Sequence, residues 1–223
     1  MKMKLFAEAL AKFLAGLILI SLCIFLPAGT LDYPNGWLFI SAMFIPILLL
    51  GTVLLVKNPA LLEKRLRGNE KEEVQKKTVE ASGLVFAASF ILSALDYRLQ
   101  LSYIPFRYSA LGSAILLLSY GMYAFVLKEN TYLSRTIEVQ NGQRVIASGL
   151  YSRIRHPMYI STLIMFLSIP ITLGSLIGEA VMLLYIPLLI SRILNEERFL
   201  KDNLEGYEEY MGKVRYRLIP YIW

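Results

Sequence analysis

The sequence predicts an all-α protein, a polytopic bundle of five or six transmembrane helices, and three observations carry that prediction. Of 223 residues, 56% are hydrophobic and only 18% charged, where an ordinary globular domain is about a quarter charged. The mean hydropathy is +0.53. The apolar residues are gathered into long uncharged runs, and the positive charge lies almost wholly between alternate runs. Disorder is excluded, because it needs low hydrophobicity and dense charge. The net charge of +6 is read as topology and attraction to anionic headgroups rather than as a nucleic-acid footprint.

Each run is measured against the roughly 20 apolar residues that cross a bilayer as a helix. Phe13 to Leu31 and Trp37 to Val56 carry no charge, and neither does Ser109 to Leu127. Ala81 to Leu95 is shorter but extends through Thr78 and Tyr97. From Met158 to Ser191 only Glu179 is charged, which suits two helices joined by a turn at Leu173-Gly174-Ser175. The count is six, or five if this last pair is partly re-entrant. The first run lacks a small-residue cleavage site and is read as a retained span rather than a signal peptide. The loop Glu63 to Glu80, dense in both signs, is expected to be a solvated helix near the headgroups without chemistry of its own. Glu179 is expected to be solvated at the edge of the opposite face.

With six spans, every basic residue except Arg98 and Arg107 falls on one face. By the positive-inside rule that face is cytoplasmic. It holds the N-terminus, both long polar loops and the C-terminus. The chain then divides into residues 1–127, a scaffold of four transmembrane helices with one charged cytoplasmic loop, and residues 128–223, where the polar chemistry concentrates on a helical hairpin and a tail. No internal repeat marks a transporter of matched halves.

The reactive inventory is sparse. His156 is the one histidine and Cys23 the one cysteine, so no His cluster for a metal and no disulfide within the chain are expected. Cys23, in an apolar run, reads as a small hydrophobe. Four polar features remain. Asn141 to Tyr151 opens on Asn-Gly and contains Gly149, the signature of a hooked loop. Arg153 to Tyr159 places Pro157 where a helix begins, with free N–H groups behind it that suit an anion. Arg192 and Glu196 are spaced i, i+4 and face one side of a helix, with Glu197 beside them. The tail runs from Tyr207-Glu208-Glu209-Tyr210 to Arg217-Leu218-Ile219-Pro220. Taken singly, these are also what a connector, an interface anchor, a surface ion pair and an interfacial helix look like.

Read in order, Gly149-Leu150-Tyr151, Arg155-His156-Pro157-Met158-Tyr159, Arg192-x-x-x-Glu196-Glu197, Tyr207-x-x-Tyr210 and Arg217-Leu218-Ile219-Pro220 resemble the isoprenylcysteine carboxyl methyltransferase (ICMT) family with its prokaryotic relatives. The resemblance covers roughly residues 128–220. Ser161 stands where the family usually has glycine, and serine is small enough that helix packing is expected to survive. The resemblance implies an integral membrane methyltransferase using S-adenosylmethionine and no metal, with residues 128–223 as its cytoplasmic cofactor-binding and catalytic region. It places Gln140, Gln143, Val145 and Ile146 on the adenosine side. Tyr151, His156, Pro157, Met158 and Tyr159 continue the cofactor pocket, Glu196 binds the cofactor's polar end, and Arg192 faces the acceptor and positions its carboxylate. The partner it implies is a lipophilic acceptor entering from the bilayer, not a nucleic acid.

Three alternatives stand beside it. Membrane sterol reductases share a similar C-terminal region and bind NADPH, for which Arg144 and Arg155 are candidate phosphate partners. A methyltransferase acting on a phospholipid amine or small thiol keeps the cofactor and changes the acceptor. A transporter or assembly factor predicts ionisable residues near the bilayer midplane, whereas here they lie at the helix ends.

Overall fold

The computed structural model describes residues 2–66, 73–102, 104–134 and 136–223, without the side chains of Lys2 and Val74. Arg67, Lys71 and Arg135, counted above in the charge asymmetry, lie outside the described residues. Among the described residues all regular structure is helical: α1 Lys2–Ala28, α2 Pro34–Lys57, α3 Pro59–Leu66, α4 Glu73–Leu99, α5 Phe106–Glu129, a 3-10 turn Gly149–Ser152, α6 Pro157–Leu173, α7 Leu176–Met182, α8 Tyr185–Asn203 and α9 Tyr207–Lys213.

Five segments are long and apolar enough to cross a membrane: α1, α2, α4, α5, and α7 with α8 taken together. Helix α6 is apolar but has 17 residues, at the lower limit for a span. Pro157 opens it and Gly174, with φ +80°, closes it in the left-handed region that a side chain disfavours. The oxygen of Ser175 then accepts from the Gly178 N–H at 2.9 Å and caps α7. The predicted turn between the last two spans is therefore present, built from a glycine C-cap and a serine N-cap in succession. Ser161 is fully buried and its hydroxyl bonds the Met158 carbonyl at 2.7 Å, so the small residue packs without an unsatisfied oxygen.

The core is apolar and aromatic. Ile24, Tyr33, Phe39, Phe90, Leu116 and Ile169 join α1, α2, α4, α5 and α6, while Tyr159, Met182, Tyr185, Leu189 and Ile193 join α6, α7 and α8. Leucines such as Leu19, Leu49, Leu84 and Leu118 point outward and are exposed, as lipid-facing side chains are.

Hydrogen bonds sort the two ends of the bundle. At one end Tyr33 donates to the Leu173 carbonyl at 2.6 Å, Asn35 to Ser109 at 2.9 Å, and the Ser102 N–H to buried Asp96 at 2.7 Å. Here Glu179 departs from expectation. One of its carboxylate oxygens is enclosed rather than solvated, because α7 packs against α4 through Gly178, whose carbonyl accepts from Ser89 at 2.9 Å. At the other end lie α3, the segment 130–156, the end of α8 and the tail. The sorting follows the charge asymmetry of the sequence.

Candidate active site

The segment after α5 is irregular and must be held by side chains. Glu129, the last residue of α5, accepts from the Leu150 N–H at 3.2 Å. Gly149 has φ +55°, and a Cβ there would fall 1.4 Å from a Glu129 carboxylate oxygen. Only glycine fits. Asn130 donates to the Tyr151 hydroxyl at 3.2 Å, so α5 anchors the 3-10 turn from both sides of one corner. Upstream, Gly142 at φ +71° and the Gln143 N–H donating to the Gln140 carbonyl at 3.0 Å make the hooked turn that Asn-Gly predicts.

The tail lies alongside the start of α6. The N–H groups of Arg155 and His156 donate to the carbonyls of Tyr216 and Arg217 at 2.9 and 3.0 Å. The Arg155 guanidinium donates to Glu197 at 2.6 Å and to the carbonyls of Val214 and Arg215 at 2.7 and 2.9 Å. Glu197 also accepts from Arg217 at 2.8 Å and from His156 Nε2 at 3.1 Å. A carboxylate ringed by two guanidiniums stays ionised and can only accept, which makes the imidazole nitrogen the donor.

Glu196, one position earlier, faces the other way. It accepts a short hydrogen bond from the Tyr159 hydroxyl, and that hydroxyl accepts from Arg192 Nε at 3.1 Å. The i, i+4 pair thus shares the phenol of Tyr159. The two carboxylates read from sequence as one polar edge are separated: Glu197 closes a buried ion cluster, and Glu196 looks into a hollow.

That hollow holds about 840 Å³ of empty space, counting its open mouth. Of the residues singled out from the sequence, Gln143, Val145, Ile146, Tyr151, His156, Met158, Tyr159, Arg192 and Glu196 all reach its wall. Gln140 and Pro157 do not. The Gln140 side chain donates to the Tyr132 carbonyl at 2.6 Å and accepts from Lys64 at 2.5 Å, serving the loop's shape. Pro157 is buried as the first residue of α6. The motif Tyr207-x-x-Tyr210 carried part of the family resemblance, but sequence reasoning assigned it no place in the pocket. Tyr207 and Tyr210 read as membrane-interface anchors, yet both line the hollow with Leu200 and Leu204, and Tyr210 donates to the Tyr151 carbonyl at 2.7 Å. Their i, i+3 spacing was the available signal. Burial pushes the phenols of Tyr151, Tyr207 and Tyr210 above their ordinary value, so the wall stays neutral and able to donate.

The hollow therefore offers the carboxylates of Glu138 and Glu196, the guanidiniums of Arg144 (exposed), Arg155 and Arg192, apolar Val145, Ile146, Leu200 and Leu204, and several neutral phenols. Among the described residues no group of three or more His, Cys, Asp or Glu is gathered as metal ligands would be.

Comparison with known proteins bears on the same region. The Delta(14)-sterol reductase TM7SF2 of Mus musculus is 34% identical over 91 residues, 40% of this chain and 22% of the reductase. The chain thus spans about a fifth of that relative's length. The solved structure of the eukaryotic intramembrane Ras methyltransferase ICMT superposes with a TM-score of 0.55 at 19% identity, covering 96% of this chain and 77% of that one, so the fold is shared well beyond the C-terminal half. Residues 102–202, from the start of α5 to the end of α8, match the profile of the isoprenylcysteine carboxyl methyltransferase (ICMT) family. Over that region, a little under half of the chain, the sequence is similar to the isoprenylcysteine carboxyl methyltransferase family.

Proposed function

We propose that the hollow binds S-adenosylmethionine from the cytoplasm and that the chain transfers its methyl group to a carboxylate, or a similar nucleophile, on a lipophilic acceptor drawn from the bilayer. The observation that carries this reading is the Arg192–Tyr159–Glu196 relay on the wall of a hollow at the basic end of the bundle. The residues fit the cofactor. Glu196 complements its ammonium, neutral phenols and backbone groups suit ribose hydroxyls, and Val145, Ile146, Leu200 and Leu204 offer an apolar slot for adenine. S-adenosylmethionine supplies a methyl group on a positively charged sulfur, ready for in-line displacement.

The protein's own work is then placement. An ionised carboxylate is already a nucleophile, so no general base is needed. Arg192 orients that carboxylate, Tyr159 fixes Arg192 relative to Glu196, and the phenolic wall keeps water out. Alignment of two reactants in a preorganised polar pocket supplies most of the rate. With the cofactor held by Glu196 and the phenols, attack of the acceptor carboxylate on the methyl carbon would form a C–O bond, break the C–S bond and release neutral S-adenosylhomocysteine; opposite charges would cancel in that step, so a pocket low in water would favour the transition state.

A second reading, NADPH-dependent reduction, rests on the sterol reductase relative and on Arg144 at the mouth. Glu196 inside the hollow opposes it, since a carboxylate repels dinucleotide phosphates and attracts a sulfonium or ammonium. Titration of the detergent-solubilised protein with each cofactor decides. Binding of S-adenosylmethionine and transfer of its labelled methyl to a component of a membrane lipid extract are expected; tight NADPH binding with none for S-adenosylmethionine overturns the proposal.

A further inference from the structure

The charged loop after α2 reads from sequence as a solvated surface, yet two of its cations reach into the loop that walls the hollow. Arg65, near the end of α3, donates through Nη1 to the Ser134 carbonyl at 3.0 Å and lies 3.8 Å from the Met158 sulfur by the same nitrogen. Its Nη2 donates to the Tyr123 hydroxyl on α5, and its guanidinium sits over that ring, 5.5 Å from the centroid. Ser134 and Met158 both line the hollow. The neighbouring Lys64 donates to Gln140 Oε1 at 2.5 Å, while Gln140 ties back to Tyr132, another lining residue. Residues 130–146 contain no helix or strand among those described, so their shape depends on such ties.

We infer that Arg65, assisted by Lys64, is a positioning residue for the cofactor: a strap from the scaffold half that holds the 132–146 wall of the hollow in its binding shape. This rests on the reading that S-adenosylmethionine occupies the hollow. The hydrogen bonds of Arg65 go to Ser134 on the loop and Tyr123 on α5, so its influence falls on cofactor capture and not on the methyl-transfer step. Three partners in three directions match the planar fork of a guanidinium, which a single ammonium does not reproduce. Arg65→Lys is therefore expected to rescue only in part.

The test uses the full chain in detergent or nanodiscs. In Arg65→Ala the dissociation constant for S-adenosylmethionine, and its KM, should rise on the order of tenfold, with KM for the acceptor and kcat at saturating cofactor little changed. Arg65→Lys should fall between wild type and Arg65→Ala, and Lys64→Ala should weaken binding less. Amide hydrogen exchange across 132–146 should quicken in Arg65→Ala without a matching change in α4 or α5, and saturating cofactor should slow it again. Unchanged cofactor affinity in Arg65→Ala overturns the inference, as does faster exchange spread evenly over the bundle. If the wild type binds no S-adenosylmethionine, the proposed function fails by that result, and the exchange comparison without ligand still decides whether the strap exists.

Discussion

Arg155 holds its Nε 2.6 Å from a Glu197 carboxylate oxygen, with side-chain exposures of 4% and 5%. Removing one partner of such a pair strands a buried charge, at a cost of roughly 3–5 kcal/mol. Glu197→Ala should therefore lower the unfolding temperature sharply and release the tail, seen as faster proteolysis after residue 205. Glu197→Gln keeps one accepting oxygen, enough for Arg155 and His156, but turns a donor toward Arg217, so it should lose less than alanine without matching wild type. Because Glu197 faces away from the hollow, cofactor binding should fall in proportion to folding; a stable Glu197→Ala protein without cofactor binding would move Glu197 into the pocket.

Arg192 and Glu196 both bond the Tyr159 hydroxyl, and the proposed function gives them separate tasks. Arg192→Ala should lower kcat about a hundredfold or more while the cofactor's dissociation constant stays within about threefold of wild type. Equal loss of both in a calorimetric titration would refute the division.

Glu196→Ala should instead weaken cofactor binding about ten- to a hundredfold, the range of a lost hydrogen bond to a charged group. Tyr159→Phe removes the bridging hydroxyl and should show a milder form of both effects. An unchanged dissociation constant in Glu196→Ala would take that carboxylate out of the cofactor site.

Gly149→Ala should reduce cofactor affinity and stability together, since Glu129 occupies the space a methyl group would need and the backbone is left-handed there. The double variant with Glu129→Ala relieves the clash but not the conformation, so it should recover only part of the loss in thermal melts.

The raised phenols of Tyr151, Tyr207 and Tyr210 set a pH limit. A group held protonated in the fold beyond its unfolded value stabilises fully below that value and loses the benefit above it. The unfolding midpoint should thus be insensitive to these groups up to about pH 10, the ordinary phenol value, and decline at higher pH. A decline that persists unchanged in Tyr207→Phe and Tyr210→Phe would assign it elsewhere.

Much of this arrangement is legible in the chain itself. Uncharged runs give the spans, Gly174 and Ser175 give the hairpin, and the i, i+4 step from Arg192 to Glu196 gives a common wall, because each rests on periodicity within one element. What periodicity does not reveal is pairing across the fold. Nothing local distinguishes Glu196 from Glu197; their roles separate only because α8 turns one toward Tyr159 and the other toward Arg155 and Arg217. Arg65 likewise sits in a run of mixed charges, and its reach to Ser134 and Met158 depends on where α3 folds back against α5. The tail's tyrosines carried an interface reading because their composition fits one, and only the bend at Gly206 brings them onto the hollow.

Helix α6 has 17 residues beside an α5 of 24, about 25 Å against 36 Å of rise, in a hydrocarbon layer of roughly 30 Å. Ile171 and Thr172 near the end of α6 pack against Gly112 of α5, so most of the extra length of α5 lies at the end of the bundle away from the hollow. The ledge carrying His156 and Tyr159 is then level with the last turn of α5. On the proposed function, a greasy acceptor and an aqueous cofactor would meet there, at the rim of the bundle and not deep within it.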